Sequence, residues 1–197
     1  MNKNNQMILK EGYFKIAIAL AIAIFLNLFI CNFLGYIGYL ITILLVYIYR
    51  NPKRHIYRNS KSILSPVDGT IEAIDKTNGK YKIYIRTSIC DAQQIISPIS
   101  GKLKIKKYFH GLNLNPNTPK ALLLNEQISI KIDDIKIKFI SGQFNTTIDK
   151  MKEQNLEQGD LIGLFINGIV VLTVKENHKL NVTISDKIKY GQAIINN

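Results

Sequence analysis

The chain has 197 residues, 47% of them hydrophobic, and a formal charge of +12. That is enough for one compact domain plus a smaller element, and the hydrophobic fraction excludes a disordered polyelectrolyte. Two cysteines, Cys31 and Cys90, are too few and too far apart for a disulfide framework and fit a reducing compartment.

In chain order, residues 1–15 form a basic N-terminal segment with Lys3, Lys10 and Lys15. Ile16 to Tyr49 then contains no charged residue, and Arg50, Lys53, Arg54, Arg58 and Lys61 follow in a basic linker over 50–62. The run exceeds the roughly 20 residues of one span and falls short of two full spans with a turn. Asn27, Asn32, Gly35 and Gly38 lie at its middle, so two short helices in a hairpin are expected, with one long tilted helix as the alternative. Positive flanks stay in the cytoplasm. A hairpin satisfies this at both ends, which predicts an inner-membrane protein with a cytoplasmic soluble part. The run is too long for a cleaved leader, and no small-residue cleavage site accompanies it.

From residue 63 onward apolar and polar residues alternate. Strands are expected over Thr70 to Ile74, Tyr81 to Arg86, Lys102 to Tyr108, Ile128 to Ile132, Ile135 to Ile140, Ile162 to Ile166, Ile169 to Lys175 and Leu180 to Ile184. Asn113 to Pro119 reads as a polar loop and Thr146 to Gln154 as one short helix. The fold class is therefore mainly β: a barrel-sandwich-like antiparallel domain over 63–197 behind a transmembrane helical hairpin over 16–49. An internal echo supports it. "SPVDGTI" from Ser65 recurs as "SPISGKL" from Ser97, and "EQGDLIG" and "IKYGQAI" supply two further glycine corners.

Lys102, Lys104, Lys106 and Lys107 stand on the β-patterned stretch without any nucleic-acid motif, so no nucleic-acid partner is expected. An anionic bilayer surface fits better, at about 1 kcal/mol per basic residue near it. Heavy use of Lys, Ile and Asn throughout is the plainer explanation of the charge.

Five motifs in order, "EGY" at Glu11, "YIYRNPKR" at Tyr47, "LSPVDGTI" at Leu64, Asp91 followed by "SPISG", and "IGLFINGIVVL" at Ile162, resemble the short bacterial form of phosphatidylserine decarboxylase over nearly the whole chain. The resemblance implies a membrane-associated proenzyme that cuts itself at a Gly-Ser pair and converts the serine to a pyruvoyl group. That group then decarboxylates phosphatidylserine, so no added cofactor is expected. It further implies an aspartate that orients a histidine base, by triad logic. The aspartate falls on Asp68. The histidine of the Asp-x-His-x-Asn-Arg-x-Pro pattern falls on Gln93, with Ile95 and Ile96 at the Asn-Arg positions. The cleavage pair falls on Gly168 and Ile169.

Glutamine takes up no proton near neutral pH, and isoleucine carries no nucleophile. None of the twelve glycines precedes a serine or cysteine, and only Gly69 precedes a hydroxyl residue, Thr70. His55 lies in the basic linker and His178 in a late turn, which leaves His110 as the one histidine expected to be able to approach Asp68. These losses predict a member that does not process itself, in which Asp68 is a turn former capping its own backbone. Gln93→His with Ile169→Ser is expected to restore partial cleavage.

Three functions stand at this point: a non-catalytic lipid-binding or accessory member, an active decarboxylase with divergent residues, and a membrane-fusion adaptor of a transport system. The implied partners are membrane phospholipid, a second copy of the chain, or an active family member. No metal site is expected.

Overall fold

A computed structural model describes residues 7–52, 54–143, 151–176 and 179–196. The chain divides into two compact units, Met1–Lys53 and Arg54–Asn197.

In the first unit, α1 (Lys10–Phe29) and α2 (Asn32–Ile48) form a helix pair that turns at Ile30 and Cys31. Small residues let the two backbones approach. A Cβ on Gly35 would lie 2.5 Å from Asn27, and one on Gly38 would lie 2.7 Å from Ala23. Lys15 donates to the Tyr49 hydroxyl at 2.7 Å, which holds the open end of the hairpin. The segment Gly12–Phe29 is long and apolar enough to cross a membrane, and α2 is a shorter apolar helix. Two helices thus stand where one long helix was the alternative, with α1 starting at Lys10 instead of Ile16.

The second unit is built from antiparallel strands. In order they are β1 (Ser62–Leu64), β2 (Gly69–Thr77), β3 (Lys80–Thr87), β4 (Gln94–Ile96), β5 (Gly101–Phe109), a single helical turn α3 (Ala121–Leu124), β6 (Gln127–Ile132), β7 (Ile135–Ser141), β8 (Gln154–Leu156), β9 (Leu161–Leu164), β10 (Gly168–Lys175), β11 (Lys179–Leu180), β12 (Lys187–Ile188) and β13 (Ala193–Asn196). An eight-stranded sheet runs β12-β2-β3-β10-β7-β6-β5-β8, beside a three-stranded sheet β1-β13-β11 and a pair β4-β9. Among the described residues these sheets are open, so the domain is mainly β and antiparallel without being a closed barrel.

Period-two alternation decides which face is wet. Ile83, Ile85, Ile130, Ile132, Ile137 and Leu172 point into one core, and the lysines between them point out. The eight expected strands are all present in some form, although the one expected over Leu180 to Ile184 is confined to Lys179–Leu180. The helix expected over Thr146 to Gln154 is not observed. Residues 146–150 lie outside the described residues, 151–153 are extended or irregular, and Gln154 opens β8.

The sequence echo has a structural counterpart. Ser65 Oγ donates to Val67 O at 2.7 Å and Ser97 Oγ to Ile99 O at 2.6 Å. The two turns bind each other, Leu64 N to Pro98 O and Ile96 N to Pro66 O, at 3.1 and 2.9 Å. Each also grips one of the late glycine corners: Gly191 N donates to Ser65 O at 3.0 Å and Gly159 N to Ser97 O at 2.9 Å. Both glycines have positive φ, +87° at Gly159 and +81° at Gly191, and Ile56 packs over the pair. Two copies of one turn-and-corner unit thus face each other at the head of the domain.

Candidate active site

Asp68 follows β1 and is buried in the first of these turns. Arg54 grips its carboxylate in a fork, Nη1 to Oδ1 at 2.5 Å and Nη2 to Oδ2 at 2.7 Å. Two backbone donors complete the shell, Tyr190 N to Oδ1 at 2.7 Å and Ala92 N to Oδ2 at 3.3 Å. The Arg54 guanidinium lies 4.1 Å from the centre of the Tyr190 ring. Burial alone would lower the Arg54 pKa, but the hydrogen bonds and charge of Asp68 hold it above its ordinary value.

The twin turn shows what this position does. There, Gln158 N donates to Ser100 Oγ at 3.0 Å, one residue before Gly159, as Tyr190 N donates to Asp68 one residue before Gly191. Asp68 therefore caps a distant corner and not its own backbone, which corrects the sequence expectation. A carboxylate offers about four acceptor positions, and these four donors occupy them.

Gln93 is also buried, directly after the Ala92 that binds Asp68. Its Nε2 donates to Asp91 O at 2.8 Å and Ile89 O at 3.0 Å, which fixes the orientation of the amide. Its Oε1 is buried and accepts no hydrogen bond. The Gln93 carbonyl accepts from Phe165 N at 2.8 Å, and β4 pairs with β9, whose chain continues to Gly168. The fold thus links Gln93 to Asp68 through Ala92 and to the segment leading into Gly168 through Phe165.

Gly168 opens β10 with φ +141°, and a Cβ there would fall 2.2 Å from Ile140 O. Only glycine fits, irrespective of chemistry. The strand continues without a break into Ile169. Gly168 pairs with Thr87 and Ser141, and Ile169 with Arg86 and Ile140. Ile169 is buried on the outer face of the large sheet with Ile140, Val171 and Tyr84. Beside it, a cavity of about 460 Å³ is roofed by Pro116, Pro119 and Leu122.

A self-generated pyruvoyl group needs a hydroxyl or thiol at position 169, and an isoleucine packed among apolar side chains does not supply one. The residues present do not fit that group. The Thr87 hydroxyl donates to the Gly168 carbonyl at 3.3 Å. His110 is exposed at the end of β5 with its ring on Tyr108, and it is not among the partners of Asp68; His178 lies outside the described residues. Arg54 was not legible as the partner of Asp68, although it stands in the quoted "YIYRNPKR" motif. Tyr190 carried no sequence signal, because it acts through its backbone N–H. No group of three His, Cys, Asp or Glu side chains that could bind a metal occurs among the described residues.

A glycine-led central strand, a buried aspartate in a proline turn and paired turn-and-corner units define the class, and comparison with known proteins places it. The family model for phosphatidylserine decarboxylase matches residues 41–196. The phosphatidylserine decarboxylase proenzyme of Pelagibacter ubique is 29% identical over 94% of this chain and 94% of its own length. That of Nitrosomonas eutropha is 28% identical over 96% of this chain and 94% of its own, and that of Paraburkholderia phymatum is 31% identical over 68% and 66%. The chain belongs to the phosphatidylserine decarboxylase family.

Proposed function

We propose that this chain is a member of the family that folds without cutting itself and serves phospholipid metabolism as a membrane-bound, non-catalytic lipid-binding or accessory protein. The observation that carries this reading is Ile169, a buried apolar residue in the central strand β10, at the position where self-cleavage needs a nucleophile. Gln93 supports it independently, since its amide is held by two carbonyls and takes up no proton near neutral pH. The basic residues on both flanks of the hairpin support a β domain at the cytoplasmic face of the inner membrane in this reading. An active relative or a second copy of the chain is the partner class this reading proposes.

The mass of the purified chain tests it. One species near 22.4 kDa is expected. Two fragments, the first ending at Gly168 and the second blocked at its N-terminus, would overturn it.

A further inference from the structure

The outer face of the large sheet carries a feature that the cleavage region does not use. Register aligns Lys104, Lys131 and Lys136 directly across β5, β6 and β7. In the next row Lys107 and Lys138 flank Ser129. Like charges set opposite one another in a sheet are unfavourable. Burial and the neighbouring Lys107 hold the pKa of Lys138 below its ordinary value. Among the described residues the lysine salt bridges join Lys76 to Glu176 and Lys175 to Asp134, so none of these five lysines takes part in one. The fold therefore gathers positive charge on this face, of which, among the described residues, Lys131 alone has a carboxylate partner in reach, at Asp134.

At the end of these rows stands an apolar knob. Leu122, Leu123 and Leu124 of α3 are 42%, 75% and 44% exposed, beside exposed Phe109 and Leu112. The knob is held firmly. Buried Asn125 donates to Leu114 O and Ser141 O at 2.9 and 2.6 Å and accepts from Leu114 N at 2.9 Å, and Leu112 N donates to Leu124 O at 2.7 Å. A cavity of about 290 Å³ joins knob and lysines, lined by Lys107, Phe109, Leu123, Gln127, Ser129 and Lys138.

We propose that this face docks on an anionic phospholipid bilayer, with Leu122 to Leu124 entering the lipid and the Lys107 to Lys138 cavity taking a headgroup phosphate. Charge complementarity selects the occupant. Fixed leucines beside unpaired ammonium groups match an interface that is apolar within and anionic at its surface. A nucleic acid would leave the leucines in water, and a second copy would bring the same lysines against themselves. The apolar helix pair that precedes this domain in the sequence makes a bilayer the available partner. The inference rests on the proposed function only in assigning the chain to a membrane, and an uncut chain and a docked face are measured separately.

The chain has no tryptophan, so Leu123→Trp gives a single reporter in the full-length protein. Reconstituted into phosphatidylcholine vesicles that include phosphatidylglycerol and brominated acyl chains, its emission is expected to shift blue. It should also be quenched roughly threefold or more strongly than in phosphatidylcholine alone. Lys107→Gln with Lys138→Gln, or salt near ~0.5 M, should abolish the difference. Ile184→Trp, at an exposed site outside the knob, should show no dependence on lipid charge. Leu124→Trp repeats the test if the first variant does not fold. Equal quenching in both lipids, solvent-like emission in both, or the same response at Ile184→Trp would overturn the proposal. So would a shift produced by an oligonucleotide in place of vesicles.

Discussion

In the proposed function Asp68 keeps its place for structural reasons. The resemblance assigns it the orientation of a histidine, whereas the structure commits its carboxylate to Arg54 and to two backbone donors. Removing one partner of a buried, hydrogen-bonded pair costs about 3 to 5 kcal/mol, and the partial exposure of Arg54 favours the lower end. Arg54→Met should therefore lower the midpoint of thermal unfolding by about 6 to 12 °C. Arg54→Lys should recover little of it, because a single ammonium cannot reproduce the fork. Full recovery by lysine would show that charge alone matters there. The same shell revises the expected rescue. With four donors already on Asp68, a histidine placed at Gln93 finds no free acceptor. Ile169→Ser meanwhile loses about 2 to 4 kcal/mol of packing. The double variant should stay one chain on a denaturing gel, and cleavage between Gly168 and residue 169 would show that Asp68 releases one of its donors.

At the level of elements, the strands that could be read from the sequence are those with one wet face. Lys131, Lys136 and Lys138 alternate with Ile130, Ile137 and Phe139, and such a pattern has no helical equivalent. Of the strands that escaped notice, β1 and β4 are buried along their whole length, so there is no alternation to detect, and β8, β12 and β13 are too short to show one. The paired turns were visible as a repeated Ser-Pro and glycine pattern, but their mutual hydrogen bonds are made by backbone groups that no side chain announces. The lysine rows give a prediction at this scale. The Lys138 pKa is depressed in the folded protein, so between its folded and unfolded values the unfolded chain binds more protons and stability rises with pH. Below that window the full penalty is present. Lys138→Gln should raise the unfolding midpoint at neutral pH, and its advantage should shrink as pH rises through the window. A variant less stable than the parent at neutral pH would mean that the lysine supports the fold. In the hairpin, labelling of intact cells should find single cysteines at Lys3 and Lys61 equally protected from an external reagent. Reaction at position 3 alone would require a single span.

For the whole molecule, the proposed function requires that the fold of the family stand without its chemistry, and two residues at the site have structural work of their own. Gly168 is required by the 2.2 Å approach to Ile140 O, and Asp68 by the corner at Gly191, whether or not a serine follows the glycine. Such structural demands are consistent with a resemblance that spans 94% of the chain in the Pelagibacter ubique relative. The β10 strand lies between β3 and β7 at the centre of the eight-stranded sheet, with Gly168 and Ile169 both paired to each neighbour. The most direct test of this account is the intact mass of the protein purified from its membrane, read together with N-terminal sequencing. The account predicts one chain near 22.4 kDa and no terminus at residue 169. Two chains divided after Gly168, with a carbonyl-reactive group at the start of the second, would contradict it.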